Sequence, residues 1–417
     1  MASRRQFLGG LAVAAGTLAS CRELPATGAG GSTSVDAIPL DATGLEDALV
    51  GSSYLGTGGG GSLAEARELI AEDLAAGLTF SMIPVSALSD TDRVACPYGL
   101  ASLADTSEEM QTKLDAVENP VEVPVQAAFE ALEKHIGQKF AGVIMGEIGP
   151  LSVAEGLSTA ARLGVPALDA DTVGRAVPEI NQHSVKVAGV PLTPIGAATP
   201  FGDTMIVETL GDPTRAEDIL RSIAVVSREC GVTDSPITGA QAKQAGTLVT
   251  ESLSLAQSIG KAVREAKEAG ADPIEAARVA GDGYLLFTGT VSDFEWSDED
   301  GFLVGKVTIS GTGTFVGQTF ETDVKNEHLV ARRNGAVIAT CPDLVTLSIS
   351  KPQTVSSIQV TLAAKRSLRS AFAAIHYGAA KRGSLYLARA ISDTKSTTFR
   401  LRNGSPSFQG HISVYRG

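Results

Sequence analysis

The spacing of apolar residues changes once along this chain, and that change constrains the fold more than any other feature. Between residues 42 and 284, segments with apolar residues three and four apart alternate with short aliphatic runs. This pattern predicts helices alternating with buried strands. From residue 285 onward apolar and polar residues alternate, and turn pairs such as Asn334-Gly335 separate the runs. The second pattern predicts antiparallel strands, so the chain should form an α/β domain followed by a β domain.

The elements expected in each domain define its fold class. In the first domain, helices are predicted over 63–78, 125–138 and 153–163, and short buried strands over 140–145, 165–168 and 204–207. Strands that alternate with helices in this way predict a layered α/β domain over residues 42–284 with a mostly parallel sheet. The segment over 285–364 predicts a smaller all-β C-terminal domain, either a small barrel or a sandwich.

The N-terminal residues have the features of an export signal. Arg4 and Arg5 precede an apolar stretch from Leu8 to Leu18, which is too short to cross a bilayer core of about 30 Å as a helix. A twin arginine in this position directs already folded proteins across the membrane. The stretch ends in a lipobox-like sequence, so residues 1–20 are predicted to be a signal peptide and Cys21 to be lipidated. An ordinary cleaved signal with an incidental cysteine is the alternative.

Two further segments lie outside the predicted domains. Residues 21–41 are rich in Gly, Ala, Ser, Thr and Pro, which is typical of a flexible tether behind a lipid anchor. Residues 365–417 form a basic C-terminal tail, which could contact anionic lipid, fold back on the acidic protein or remain a solvated face. The protein is therefore expected to be an exported, membrane-anchored lipoprotein that faces the periplasm or the cell exterior.

Composition limits the partners. The chain carries a net charge of −13, and it contains 1 Trp and 6 Tyr. Nucleic acid is excluded as a partner, because phosphate binding needs a positive surface and bases stack on aromatic side chains. After Cys21, the remaining Cys96, Cys230 and Cys341 are far apart and indicate no disulfide framework. A small molecule is the expected substrate. The sequence leaves open whether the protein forms a homo-oligomer.

A glycine-rich loop is the first candidate for substrate binding. The loop contains Gly56, Thr57, Gly58, Gly59, Gly60 and Gly61. It precedes a predicted helix, whose N-terminus attracts negative charge. Its spacing matches neither of the common nucleotide-binding loops. We therefore expect it to hold a small anionic or carbonyl-bearing group, with a plain flexible turn as the alternative.

Carboxylates follow two of the predicted strands. Glu147 follows the run AGVIM, and Asp169 and Asp171 follow the run VPAL. Ligands of open α/β sheets bind at the carboxyl ends of the strands, where these side chains should gather. Asp169 and Asp171 would point the same way in an extended chain, and two close carboxylates either bind a cation or share a proton.

Three further polar residues complete this cluster. Arg175 could neutralise an aspartate or hold a substrate carboxylate. Glu179 and His183 are four residues apart and would share one face of a helix, where they could complete a metal site with nitrogen and oxygen ligands. A hydrogen-bonded structural histidine and an ordinary ion network are the alternatives.

Eight motifs lie between residues 44 and 348: YLGTGGGG at 54–61, GEIG at 146–149, GVPALDADTVGRAVPE at 164–179, TGAQAK at 238–243, GTLVTESLSLAQSIGKA at 246–262, LFTGTV at 286–291, NEHLVA at 326–331 and PDL at 342–344. Taken in this order, they resemble the S-methyl thiohydantoin desulfurase family, which is grouped with hydantoinase and oxoprolinase proteins.

The resemblance implies a fold, an activity and a set of site residues. It implies a three-layer α/β domain followed by a barrel-like β domain. The implied activity is hydrolysis at a thiohydantoin-like ring that releases a thiol, with a metal that activates water. It also implies that the glycine loop, Glu147, Asp169, Asp171, Arg175 and Glu179, together with Asn326 and Glu327, belong to the site.

We hypothesise a metal-assisted hydrolase with these residues in separate roles. Asp169, Asp171 and His183 would hold a divalent metal, zinc in the first instance, whose bound water attacks the ring. Glu147 or Glu179 would accept the proton, Arg175 would orient a substrate carboxylate, and the loop amides, with Asn326 and Glu327, would bind substrate. The alternatives are an extracytoplasmic lipoprotein that binds a small heterocycle or amino-acid derivative without catalysis, and a scaffold with a decayed site.

Overall fold

The computed structural model describes residues 37–101, 107–118, 120–121, 123–299, 302–349, 358–363 and 415–416. The predicted signal peptide and the lipidation site at Cys21 lie outside these residues, as does nearly all of the predicted basic tail. Among the described residues, the helices are all too short or too polar to cross a membrane.

The first part of the chain forms a mixed sheet. Its strands are β1 (Ile38–Leu40), β2 (Phe80–Ile83), β3 (Arg93–Ala101), β4 (Gly142–Met145), β5 (Ala167–Asp171), β6 (Ile195–Ala198), β7 (Thr204–Val207), β8 (Glu229–Thr238) and β9 (Val249–Thr250). Their order is β1-β2-β5-β4-β3-β8-β6-β7, and β9 pairs with β5. The block β2-β5-β4-β3 is parallel, whereas the remaining pairings are antiparallel. The prediction of a mostly parallel sheet therefore holds only for its centre.

Helices cover both faces of this sheet. They are α1 (Ala42–Leu55), α2 (Leu63–Ala75), α3 (Glu108–Asp115), α4 (Pro124–Ile136), α5 (Pro150–Leu163), α6 (Ser184–Val187), α7 (Arg215–Ser227), α8 (Gly239–Ala242), α9 (Ser252–Glu268) and α10 (Pro273–Ala280). Apolar residues of α1, α2, α4, α5 and α9 fill one core, and those of α6 and α7 help to fill the core on the opposite face. A central sheet between helical layers matches the predicted α/β architecture.

Local signals explain where the predicted helices begin and end. The Ser62 hydroxyl accepts hydrogen bonds from the first-turn amides of α2, and a proline occupies the first turn of α4 and of α5. Gly137 and Gly164 end these last two helices in the left-handed conformation that glycine adopts without strain. The three predicted helices are therefore confirmed with small shifts at their ends.

The strand predicted over 204–207 is present, but it is not buried. It forms β7 at an edge of the sheet, where it pairs only with β6, and its residues are exposed or half-buried. An aliphatic run on an edge strand looks the same in sequence as one on a central strand, because both have high β propensity.

The second part of the chain forms an antiparallel sheet. Its strands are β10 (Tyr284–Glu299), β11 (Phe302–Gly311), β12 (Thr319–Lys325), β13 (Glu327–Arg333), β14 (Ala336–Thr340), β15 (Leu344–Ile349), β16 (Ile358–Ala363) and β17 (Tyr415–Arg416). Their order is β14-β13-β12-β11-β10-β16-β15-β17, and β17 alone runs parallel to its neighbour. Between the described strands no pairing joins β14 to β17, so the predicted barrel is unconfirmed.

Candidate active site

The glycine loop lies between α1 and α2 and contacts the N-terminus of α5 and β13 of the second sheet. Thr57, Gly58, Gly60 and Gly61 all have positive φ angles, of 52°, 101°, 73° and 80°. Three of these four residues are glycine, which adopts the left-handed backbone conformation without steric strain. A Cβ atom at Gly59, where φ is not positive, would lie 1.9 Å from Glu327 Oε1. The loop therefore needs glycine both for its conformation and for the close approach of a carboxylate.

The loop has backbone donors to offer. The amide of Gly59 donates to the Gly56 carbonyl at 2.9 Å, whereas the amides of Gly58, Gly60 and Gly61 form no hydrogen bond to any part of the chain that the structure describes. These three glycines are half-buried or exposed. Their amides can therefore bind water or an oxygen of a ligand, as predicted for a loop that holds a carbonyl-bearing group.

Arg175 is fully buried and links this loop to the second sheet. Its guanidinium donates to Thr57 Oγ1 at 2.7 Å, to the His328 carbonyl at 2.9 Å and to the Asp343 carbonyl at 2.8 Å, while its Nε donates to the Ala176 carbonyl at 2.8 Å. These bonds occupy all three nitrogens of the group. The predicted binding of a substrate carboxylate stays a prediction, but the structure gives Arg175 a different set of partners.

Two carboxyls, the half-buried Glu147 and the buried Glu327, flank Arg175. Glu147 accepts hydrogen bonds from the Ser152 hydroxyl and from the Val177 amide, both at 2.9 Å. Desolvation raises its pKa, although these bonds and the charge of Arg175 oppose the rise. Glu327 is 3% exposed, and its Oε2 has no hydrogen-bond partner among the described residues. Burial, followed by the charge of Glu147, raises the pKa of Glu327 well above its usual range, which favours the protonated acid.

Asp169 and Asp171 lie two residues apart on β5 and have different surroundings. Both carboxylate oxygens of Asp169 accept hydrogen bonds from Ser254, one from its amide and one from its hydroxyl. Asp169 therefore caps the N-terminus of α9 from a neighbouring strand. In Asp171, Oδ2 accepts from the Val173 and Gly174 amides, whereas Oδ1 has no hydrogen-bond partner among the described residues.

The environment of Asp171 suits proton transfer. It is fully buried, and burial raises its pKa to about 7; the Gly174 amide, the nearby Ser252 hydroxyl and the Val173 amide oppose the rise, and the charge of Glu147 adds to it. A carboxyl that titrates near neutral pH can both accept and donate a proton.

The residues predicted to bind a metal do not meet as one ligand set. Within the described part of the chain, no group of three or more His, Cys, Asp or Glu side chains is arranged to hold a metal ion. Asp169 already uses both oxygens on Ser254. His183 instead packs edge-on against Tyr98, with ring centroids 5.8 Å apart. The donor set therefore does not fit the predicted three-ligand site, and we derive no step through a metal.

Glu179 and His183 do not share a helix face, which corrects the prediction. Residues Ile180–Gln182 form a single 3-10 turn that Glu179 and His183 flank in extended conformations. Glu179 instead forms an ion pair with Lys325, and both side chains are 32% exposed. Too few residues lie between Pro178 and the start of α6 for a longer helix. A capping box between Glu179 and Gln182 closes the turn.

Asn326 shapes the backbone beside the glycine loop. It has a φ angle of 57° and separates β12 from β13. Its side-chain oxygen accepts from the Leu303 amide at 2.9 Å, and its own amide donates to the Leu303 carbonyl at 2.8 Å. The predicted contact between Asn326 and substrate stays a prediction; the structure shows a residue that positions the neighbouring Glu327.

Sequence reasoning missed several residues of this region. His328 is buried, its amide donates to the Thr57 carbonyl at 2.9 Å, and burial lowers its pKa to about 3. Its position directly after the motif residue Glu327 is a signal that could have found it. Cys96, Tyr98 and Asp234 also lie in buried surroundings near the carboxyl ends of the parallel strands, and neither spacing nor composition marks them.

A cleft of about 540 Å³ lies beside Arg93, at the amino end of β3. Three of its polar lining residues already have partners: Arg93 donates to Gln138 and to the Pro236 carbonyl, and Gln241 forms a capping box with Thr238. The carboxyl ends of the parallel strands, with their unpartnered buried oxygens, are the better candidate for an active site.

Comparisons with known proteins agree with this architecture. A model of the S-Me-THD-like N-terminal domain matches residues 43–209, and a model of the S-Me-THD-like C-terminal domain matches residues 211–363. A crystal structure of a protein from Chromobacterium violaceum is similar, with a TM-score of 0.60 and 23% identity, over 84% of this chain and 98% of that chain. At this identity the likeness shows the fold alone. No curated protein matches the chain. Since the two domain models follow one another over most of its length, the chain belongs to the S-Me-THD-like family.

Proposed function

We propose that this protein is a hydrolase that acts on a five-membered ring of the thiohydantoin or hydantoin type and releases a thiol where the ring carries one. Membership of the S-Me-THD-like family supports a related enzymatic function. The observation that carries the proposal is the buried Asp171 carboxyl, which keeps one oxygen without a partner among the described residues and is affected by the charge of Glu147, the same charge that acts on Glu327.

Asp171 acts as the general base. Its free Oδ1 accepts a proton from water, and the water oxygen forms a bond to the ring carbon that carries sulfur. The Val173 and Gly174 amides hold Oδ2 and fix the orientation of the carboxylate. A base of pKa about 7 combines a usable ionised fraction with proton affinity near neutral pH, which is the condition for efficient general base catalysis.

Glu327 acts as the general acid. When the carbon–sulfur bond breaks, its electron pair leaves with sulfur, and the proton of Glu327 converts the thiolate into a thiol. The added oxygen becomes a carbonyl as its second proton passes to the ring nitrogen that was double-bonded to this carbon, and the proton held by Asp171 returns to Glu327 through solvent. Water is the only co-reactant, and the cycle needs no oxidant or reductant.

The glycine loop binds the oxygen added from water, which develops negative charge as it loses its second proton and becomes the carbonyl. The amides of Gly58, Gly60 and Gly61 are its donors, because they have no hydrogen-bond partner among the described residues. An oxyanion hole of this type contributes about 3–4 kcal/mol to the transition state for each well-placed donor. Arg175 orders the loop through Thr57 and so acts as a positioning residue.

The divalent metal predicted from the sequence stays a prediction. Metal analysis of the folded protein tests it, together with ring hydrolysis before and after treatment with a chelator. A stoichiometric ion, and activity that is lost on chelation and regained with zinc, would require ligands other than the set Asp169, Asp171 and His183. Unchanged activity after chelation would support acid–base catalysis by Asp171 and Glu327.

The test of the proposed function is turnover of a panel of rings. S-methylated thiohydantoins, thiohydantoins and hydantoins are incubated with the protein, and released thiol and product are measured for the wild type and for Asp171→Asn. Thiol release that depends on Asp171 supports the hydrolase. Binding of a ring without turnover in the wild type would instead support a binding lipoprotein, and neither binding nor turnover would support a decayed scaffold.

Export and lipidation complete the proposal for this chain. The twin arginine and the sequence before Cys21 support a protein that is anchored outside the cytoplasm by its N-terminus. Expression of the full chain and of Cys21→Ser in a bacterium tests this, with the membrane and soluble fractions compared. A wild type that leaves the membrane fraction as readily as the variant would contradict a lipid anchor.

A further inference from the structure

A second group of buried polar atoms lies on the opposite face of the first sheet from α9. It centres on a bulge in β8, where the pairing with β3 shifts register between Val94 and Cys96. Ser235 in this bulge has a φ angle of 50° and is fully buried. A non-glycine residue in this conformation is uncommon, and bulges of this kind often redirect a side chain beside a functional site.

The bulge orients Asp234 toward Tyr98. The Tyr98 hydroxyl donates to Asp234 Oδ2 at 2.8 Å, and both residues are buried. Asp234 Oδ1 and Ser235 Oγ have no hydrogen-bond partner among the described residues. The Ser235 hydroxyl lies close enough to favour the ionised form of Asp234, but it does not form a well-aligned hydrogen bond with it. One acceptor and one donor are thus left side by side.

His183 adds a third unpartnered group. Its ring packs edge-on against Tyr98, and its Nδ1 has no hydrogen-bond partner among the described residues. Burial, with a contribution from Lys186, lowers its pKa to about 4, so the ring is neutral. Each buried polar atom without a partner costs about 1–3 kcal/mol. Three such residues around one tyrosine indicate that a bound molecule supplies the missing partners.

This polar group borders the carboxyls of the proposed reaction. Cys96 pairs with Asp234 across the strands, and after burial itself the charges of Asp234, Asp171 and Glu147 raise the pKa of its thiol. Gly146, directly before Glu147, approaches both neighbours: a Cβ there would lie 3.4 Å from Tyr98 Cβ and 3.7 Å from Cys96 Sγ. Cys96 is therefore the residue affected both by Asp234 and by the carboxyls of Asp171 and Glu147.

We propose that Asp234, Ser235 and His183 form the subsite that binds the N–H and adjacent carbonyl of a neutral cyclic amide, with Tyr98 as the residue that positions Asp234. Asp234 Oδ1 accepts from the ring N–H, and the Ser235 hydroxyl donates to the neighbouring carbonyl. An amide held in a ring presents these two groups on one edge, as an open-chain trans amide does not. The inference rests on the proposed function, because it assigns the ring of the same substrate to this subsite.

Binding of hydantoin tests the subsite without requiring turnover. Titration calorimetry is performed on the full protein with hydantoin and with hydantoin methylated at the nitrogen between the two carbonyls. We expect the methylated ring to bind at least tenfold more weakly, and Ser235→Ala and Asp234→Asn to weaken hydantoin binding by about tenfold each, as the loss of one hydrogen bond predicts. Tyr98→Phe should weaken binding less.

Ser348→Ala is the matched control. Ser348 is also fully buried on a strand and its hydroxyl has no partner among the described residues, but it belongs to β15 of the second sheet. This variant should bind hydantoin like the wild type. Equal affinity of wild type, Ser235→Ala and Asp234→Asn would overturn the subsite, as would a crystal structure in which these atoms bind only ordered water with hydantoin present.

The outcomes separate this inference from the proposed function. If hydantoin binds as expected but no ring in the panel is turned over, the hydrolase fails and the subsite stands. If thiol release proceeds with an unchanged KM in Asp234→Asn and Ser235→Ala, the hydrolase stands and the subsite fails.

Discussion

Single residues in this site differ in function even when they are close in sequence. Asp169 is hydrogen-bonded to Ser254 through both oxygens, whereas Asp171 keeps Oδ1 unpartnered among the described residues. We expect Asp169→Ala to lower the free energy of unfolding by about 1 kcal/mol through loss of a helix cap. Asp171→Asn should reduce kcat for ring hydrolysis by about 10²–10⁴-fold, as removal of a general base does.

Chemical denaturation and steady-state kinetics on both variants check this assignment. Circular dichroism of Asp171→Asn confirms that the variant folds. A loss of kcat in Asp169→Ala as large as that in Asp171→Asn would mean that the two carboxylates act together, as a shared-proton pair or a metal site would require.

The raised pKa of Asp171 also predicts opposite pH dependences for stability and activity. The folded state holds this proton up to a pH of about 7, whereas the unfolded chain releases it near its usual value of 3.8. Between these values the folded state binds more protons, so the contribution of Asp171 to the free energy of unfolding falls as pH rises. Activity should rise over the same window, because the base must be ionised.

Denaturant titrations at about pH 4.5, 6 and 7.5 measure this effect in the wild type and in Asp171→Asn. The variant should lose less stability than the wild type as pH rises. Part of the decrease in the free energy of unfolding should remain in the variant, because burial also raises the pKa of Asp234 to about 7. Identical slopes in the two proteins would contradict the raised pKa.

Among the connecting elements, the loop between α1 and α2 contains one glycine at which an added Cβ atom tests space without backbone strain. A Cβ atom at Gly59 would lie 1.9 Å from Glu327 Oε1, whereas one at Gly211 would meet nothing within 4 Å. Neither glycine has a positive φ, so alanine tests space alone. Gly59→Ala should displace the Glu327 carboxyl, lower kcat by more than tenfold and cost about 1–3 kcal/mol of stability. Gly211→Ala should be neutral within about 0.5 kcal/mol.

Thiol release and thermal unfolding of the two variants provide the measurement. Full activity in a folded Gly59→Ala protein would show that Glu327 can move without loss, and would remove it as the general acid.

The elements themselves were largely predictable from sequence, and the reason is local. The helices over 63–78, 125–138 and 153–163 combine an apolar period with a serine cap, or a proline start and a glycine end. The segment from Ile180 to Gln182 was not predictable as a turn, since the spacing of Glu179 and His183 fits a helix equally well. Exposure of β7 depends on its neighbours in the sheet, which no local pattern contains.

At the scale of the whole molecule, Arg175 joins the two sheets through the site. Its guanidinium contacts Thr57 between α1 and α2, the His328 carbonyl on β13 and the Asp343 carbonyl before β15. Lysine has one charged nitrogen and cannot replace this planar set of donors. We expect Arg175→Lys to lower the free energy of unfolding by about 3 kcal/mol, because buried carbonyls lose charged donors.

Urea denaturation followed by near- and far-ultraviolet circular dichroism measures this loss. Arg332→Lys is a suitable control, since Arg332 forms a partly exposed ion pair with Asp323 and such pairs contribute about 0.2–1 kcal/mol. Equal losses in the two variants would contradict the special position of Arg175.

The site was only partly predictable, because it is assembled over long distances along the chain. Glu147, Asp171 and the glycine loop were found because they follow strands or precede a helix. Asp234 and Tyr98 come together only through the pairing of β8 with β3, and nothing within either segment indicates the other. The motif with Glu327 could be placed in the site by resemblance, but its contact with Gly59 depends on the docking of two sheets.

The position of β8 has a consequence for how the family's two halves can change over time. The family model of the N-terminal domain ends at residue 209, and that of the C-terminal domain begins at residue 211. However, β8, which belongs to the C-terminal half, pairs with β3 in the centre of the first sheet. Neither half can complete that sheet alone. Exchange of either half at the boundary between the two family models would replace one partner of the Asp234–Tyr98 contact and of the Glu327–Gly59 contact, so a foreign half would have to supply matching side chains at both.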